Sequence, residues 1–172
     1  MKRSFHTLLL LMSIVCLLVA CKGKIQPPPL YTFSDYDAVA TDVVEVPFKE
    51  YGGVRTIQVK INDCTEFPMI FDTGCSGVAM SVLELNTLIK HGYISPDDVI
   101  GMTTAQIADG SIVENAVVNL KKLQIGDYVC HNVQATISEN ENAPLLLGNG
   151  ALRDVASFEV DDEAGVIKFH LK

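Results

Sequence analysis

Phe71-Asp72-Thr73-Gly74 combines residue types that can do chemistry. An apolar run over residues 67–71, with one proline, ends abruptly in an acid, a hydroxyl and a glycine. A carboxylate that activates water needs such a setting: a rigid strand, a tight turn and a partly dry pocket. Taken alone, Asp-Thr-Gly is also an ordinary turn after a strand, because Asp and Gly favour turns. The surroundings argue for more. The run before the acid is apolar rather than alternating, which places Asp72 at the end of a core element. Cys75-Ser76-Gly77 adds small residues that let another backbone come close. Downstream, Leu145-Leu146-Leu147-Gly148 repeats the pattern of an apolar run closing on glycine.

Short strands must carry these residues. Residues 43–46 with Phe48 make one strand, and residues 56–61 alternate cleanly with Ile57, Val59 and Ile61 on one face. Asn62-Asp63 is a turn, and residues 67–71 return as the strand that delivers Asp72. Ser81 and Glu84 form a capping box for a helix through Leu85, Leu88 and Ile89 that stops at Gly92. Ser95-Pro96-Asp97-Asp98 starts a second short helix, with Pro at its first position. Asp109-Gly110 between strand-like residues 103–108 and 111–120 is a hairpin signal. A second hairpin runs through residues 123–125, Gly126-Asp127 and residues 128–137. A short helix near residues 151–154 precedes a last hairpin, residues 157–160 and 166–171. The pattern predicts a mainly β single lobe, closed and barrel-like, with one or two short helices.

The chain has 172 residues, enough for one domain with appendages. Its net charge is −8 and it has no basic patch, so nucleic acid is not an expected partner. Lys2 and Arg3 precede an apolar run over residues 8–20, the layout of a signal peptide. The run ends Leu18-Val19-Ala20-Cys21, which resembles the bacterial lipobox and implies a lipid on Cys21. The alternative is an uncleaved anchor, but the run is short for a spanning helix, which needs about 20 apolar residues. The expected organisation is a signal peptide over 1–20, a lipidated Cys21 with a Pro-rich tether to 41, and a domain over 42–172. The expected location is the cell envelope, on the periplasmic or outer-membrane side. Cys64, Cys75 and Cys130 remain for at most one disulfide; Cys64–Cys130 is conceivable. No Cys or His spacing suggests a metal site.

The order of these features resembles the retropepsin-like aspartic proteases, which include retroviral enzymes and bacterial relatives. The family's first motif reads here as Ile70-Phe71-Asp72-Thr73-Gly74-Cys75-Ser76, and its second as Leu146-Leu147-Gly148 before a short helix. A flap hairpin falls on residues 105–115, with Ala108, Asp109, Gly110 and Ser111 around its tip. The resemblance covers roughly residues 43–170. Two departures stand out. A helix lies between acid and flap, as in bacterial relatives, and Asn149-Gly150 stands where larger residues are expected.

The resemblance implies an aspartic endopeptidase that takes a peptide or protein substrate and needs no metal or cofactor. Asp72 becomes the catalytic carboxylate. Thr73 reaches across to a partner loop, Gly74 permits the turn and offers its N–H, and Ser76 hydrogen-bonds the outer carboxylate oxygen. Cys75 reads as a small filler, with no activating cation nearby. The mechanism demands two acids, and this chain holds one Asp-Thr-Gly. The second acid is therefore expected from another copy, in a two-fold homodimer. The rival reading is a non-catalytic module of the same fold that binds peptides or partners, since fold does not dictate activity.

Overall fold

The computed structural model describes residues 35–37, 40–106, 109–152 and 156–172. The signal-peptide segment, Cys21, the tether up to residue 34, Ala108 and Asp154 lie outside the described residues. The described chain is mainly β, as expected, with one substantial helix.

Period-two alternation builds the walls. β2 (Val43–Tyr51) buries Val44 and Val46, and β3 (Val54–Ile61) buries Ile57, Val59 and Ile61. Gly52 and Gly53 join them at φ +61° and +79°, left-handed values that suit the twist of a two-residue hairpin. Asn62 and Asp63, also at positive φ, turn the chain into β4 (Glu66–Asp72). β4 runs antiparallel to β3, with Thr56 opposite Ile70 and Lys60 opposite Glu66. Here the strand departs from the sequence reading. Met69 and Phe71 are buried while Pro68 is exposed and Ile70 half-buried, so β4 alternates after all. One face packs the core; the other borders an open groove.

β5 (Val78–Ser81) leads directly into α1 (Val82–Lys90). The capping box forms as read: Leu83 and Glu84 N–H groups donate to the Ser81 hydroxyl, and the Ser81 N–H donates to the Glu84 carboxylate. Residues Pro96–Asp98 form a single 3-10 turn. β6 (Val99–Gln106) and β7 (Ile112–Ile125) make the long hairpin around Asp109-Gly110. β7 is one continuous strand, not the two pieces the sequence suggests. Lys121 and Lys122 lie within it, where the ladder to β8 continues and their ammonium groups meet Asp98 at 3.2 Å and Asp63 at 3.0 Å. β8 (Tyr128–Ser138) returns beside β7. Then come β9 (Leu146–Gly148), α2 (Asn149–Leu152), β10 (Ala156–Asp161) and β11 (Val166–Leu171). α2 starts two residues earlier than expected.

Pairing closes on itself. β3 neighbours β4, then β9, β5, β8 and β7 in turn, and β7 pairs β3 again. Inside this circuit lie Ile57, Ile61, Met69, Met80, Leu120, Leu123 and Leu147, all essentially unexposed. Each such side chain stabilises the fold by about 1.5–3 kcal/mol. β2, β11 and β10 extend the sheet outside it. They carry Phe158 and Phe169, whose rings meet Phe71 edge-on at 4.8 and 5.8 Å. Those contacts hold the strand end that carries Asp72.

The described end of the tether is not free of the domain. Asp35–Tyr36 form β1, which pairs β8 at His131 and Cys130. The Tyr36 ring lies 5.6 Å from that of Tyr128, and Asp37 N–H donates to Val129 at 3.0 Å. Cys64, Cys75 and Cys130 are all free thiols, so no Cys64–Cys130 bridge forms. Burial pushes the Cys130 thiol up to about 12.

Candidate active site

The two motifs meet at one seam. β4 and β9 are parallel, with Phe71 beside Leu147 and Asp72 beside Gly148. β9 also pairs β5, antiparallel, through Val78–Leu147 and Ala79–Leu146. β9 thus lies between the two strands that flank the loop over residues 73–77. That loop arches over the end of β9, and the residues beneath it set its geometry.

Gly74 donates its N–H to Asp72 Oδ1 at 2.8 Å, and Cys75 donates to the Asp72 carbonyl at 3.3 Å. The Cys75 thiol donates to the Gly77 carbonyl at 3.2 Å. From below, Gly148 N–H donates to the same Gly77 carbonyl at 2.9 Å. A Cβ on Gly148 would lie 2.7 Å from the Cys75 carbonyl carbon and closer still to the oxygens of Cys75 and Gly77. Only glycine fits there, for lack of space rather than for backbone conformation. This is the physical content of the apolar-apolar-glycine motif: Leu147 is fully buried as the anchor, Leu146 borders the groove, and Gly148 lets the loop close down.

Asp72 is half-buried, while Thr73, Gly74 and Ser76 are exposed. An open groove runs past the acid. Gly53, Val54 and Arg55 form one wall, Ile70, Phe71, Asp72 and Thr73 the floor, and Leu146 and Val160 the rest. The lining mixes apolar side chains with the polar groups of Arg55, Asp72 and Thr73, a surface that can meet both the side chains and the backbone of an extended peptide. Arg55 is held at the rim: its Nη2 donates to Asp162 at 2.8 Å, Nε lies 3.5 Å from Glu50, and its guanidinium sits 5.4 Å over the Phe48 ring. Its charge is therefore answered within the chain.

The structure brings Asp72, Thr73, Gly74, Cys75 and Ser76 together with Leu146, Leu147 and Gly148. It does not bring Asp109, Gly110 and Ser111 to them. These sit exposed at the tip of the β6–β7 hairpin and are not part of the groove lining. Among the described residues, no carboxyl group pairs with Asp72 and no His, Cys, Asp or Glu cluster could hold a metal. Sequence reading missed the groove walls at Gly53, Val54, Arg55 and Val160. Gly52-Gly53 was a visible turn signal, but nothing local places that turn beside Asp72, since the register of β3 on β4 decides it.

Comparison with known proteins agrees with this geometry. Residues 57–154 match the family described as "gag-polyprotein putative aspartyl protease". Among solved structures, the chain is similar to a retropepsin-like aspartic protease from Rickettsia conorii. The TM-score is 0.53 at 16% identity, over 78% of this chain and 92% of that one. No curated protein sequence matches. With both motifs inside the matched span and the seam between them formed, the chain belongs to this aspartyl protease family and has the retropepsin-like fold.

Proposed function

We propose that the protein is an aspartic endopeptidase whose active site is completed by a second copy of the same chain. The carrying observation is the seam: a half-buried Asp72, tied by the Gly74 N–H, on the floor of an open groove of mixed apolar and polar lining. One chain supplies one acid, and water activation needs two. Two carboxyls that share a site hold one proton between them, because both cannot readily ionise at close range. The ionised member takes a proton from a water, which attacks the peptide carbonyl. The protonated member polarises the carbonyl oxygen and later protonates the leaving amine. Exposed Thr73 would reach across to the facing loop, and the β6–β7 hairpin would cover the bound peptide. Residues 1–20 would direct export, and a lipid on Cys21 would hold the enzyme on the cell envelope.

Cleavage of a peptide library by wild type and by Asp72→Asn tests the chemistry. Cleavage by wild type alone is expected, with a loss of about 10³–10⁴-fold in the variant. Equal cleavage by both sinks the assignment of Asp72, and no cleavage by either favours the peptide-binding reading. Sedimentation during turnover tests assembly: an active monomer would overturn the shared site. Fractionation of Cys21→Ala tests the anchor, with release from the membrane fraction expected.

A further inference from the structure

The first turn of α2, beneath the Asp72 loop, carries a residue to which the motifs assign no role. Gly150 is the second residue of α2. Glycine in a helix costs roughly 1 kcal/mol relative to alanine, so its presence calls for a reason. The reason lies overhead. A Cβ on Gly150 would sit 2.8 Å from both Cα and the carbonyl carbon of Ser76, and closer still to the Ser76 oxygen. All three are backbone atoms, so no rotamer change relieves the contact. By contrast, Gly52, Gly53, Gly92, Gly110 and Gly165 have nothing within 4 Å of such a Cβ and are explained by positive φ. The Gly150 N–H meanwhile donates to the Cys75 carbonyl at 3.4 Å.

The loop therefore rests on two bare α-carbons, Gly148 under Cys75 and Gly77, and Gly150 under Ser76. Within the loop, Gly74 and Cys75 both donate back to Asp72, to its carboxylate and its carbonyl. Raising Ser76 disturbs that pair of bonds. Carbon atoms in contact settle at about 3.5–4.0 Å, so even a methyl at 150 displaces the loop by about 1 Å.

We propose that Gly150 is a positioning residue: its missing side chain sets the height of the Asp72 loop, and with it the geometry in which two such loops meet. The catalytic part of this inference rests on the peptidase reading; the seat itself does not. The test therefore reads both activity and loop placement in the full-length protein. The variants are Gly150→Ala and Asn149→Gly, the second loosening the same helical turn without adding an atom. The substrate is a fluorogenic peptide taken from the library above. The loop is followed by the rate at which iodoacetamide alkylates Cys75, resolved by peptide mass spectrometry.

In Gly150→Ala, kcat per folded molecule falls about 100-fold, as a misplacement of about 1 Å implies, while KM stays within about threefold. Cys75 alkylation accelerates as its thiol leaves the Gly77 carbonyl. Asn149→Gly moves both readouts the same way by less. Lower thermal stability with unchanged kcat per folded molecule would assign Gly150 a purely structural role and overturn the proposal. Unchanged kcat and Cys75 reactivity in Asn149→Gly would overturn it where Gly150→Ala does not fold. An inactive wild type whose Cys75 still responds to Gly150→Ala removes the peptidase reading and leaves the seat standing.

Discussion

Two aspartates in this chain make the same local turn and end in different settings. Asp72 accepts the N–H of Gly74 at 2.8 Å, and Asp109 accepts the N–H of Ser111 at 2.8 Å. Both are side-chain turns of the kind Asp favours anywhere. Beyond that they diverge. The Asp72 turn is clamped from below by β9 and α2 and opens on a groove. The Asp109 turn stands exposed at a hairpin tip, held by the Ser111 hydroxyl at 2.7 Å and by Gln106, which donates to the Gly110 carbonyl. A turn that orients a carboxylate is common. A turn held in place by an inserted strand is what makes a candidate site.

Exchanging each acid for its amide is the strongest way to break this contrast. Asp72→Asn should remove peptide cleavage by about a thousandfold, whereas Asp109→Asn should leave it within about twofold. Equal effects, measured as kcat/KM on one peptide, would erase the distinction. Two glycines, one in each region, sharpen it at the level of stability. Gly148→Ala pushes a methyl into two carbonyl groups and should cost about 3 kcal/mol in urea denaturation. Gly110→Ala meets nothing within 4 Å but must hold φ at +86°, so its cost should be about 1 kcal/mol.

The smallest effect concerns charge. The Ser111 hydroxyl and then its N–H hold the Asp109 carboxyl below its ordinary value of 3.8. Ser111→Ala should let it rise toward that value, as followed by NMR titration of the side-chain carboxyl. A depressed folded-state carboxyl adds stability that is present above its unfolded pKa and is lost as pH falls through the folded value. The variant should therefore be slightly less stable than wild type at neutral pH, lose less stability as pH falls below 3.8, and converge with wild type at acid pH.

Much of the site was legible because its signals are local. An apolar run stopping at Asp-Thr-Gly, a Ser-x-x-Glu box at Ser81 and Asp-Gly at a hairpin tip each rest on interactions within a few residues. The capping box and the hairpin both form. Where local rules misled, a distant partner intervened. The two lysines that interrupt the apolar pattern of β7 sit in a ladder that β8 carries on past them, and they meet Asp98 and Asp63 from other elements. β4 looked uniformly apolar, yet one face borders the groove because β9 inserts at its end. Asp35 and Tyr36 read as tether because two residues carry no periodicity, and only the open edge of β8 recruits them.

The sequence by itself determined which residues are of a type that could carry chemistry and that the chain offers a single Asp-Thr-Gly. Identity and count are written in the chain, and local propensity follows from side-chain sterics and short-range hydrogen bonds. Only the tertiary structure decided that Leu147 and Gly148, far along the chain from Asp72, lie beside it. It alone set Gly150 beneath Ser76, and brought the β2–β3 turn and Val160 to the groove. Those choices depend on strand register and on which edges meet when the circuit closes. The free energy of burying Leu147, Met69 and Phe71 together selects that arrangement, and no single segment carries it alone.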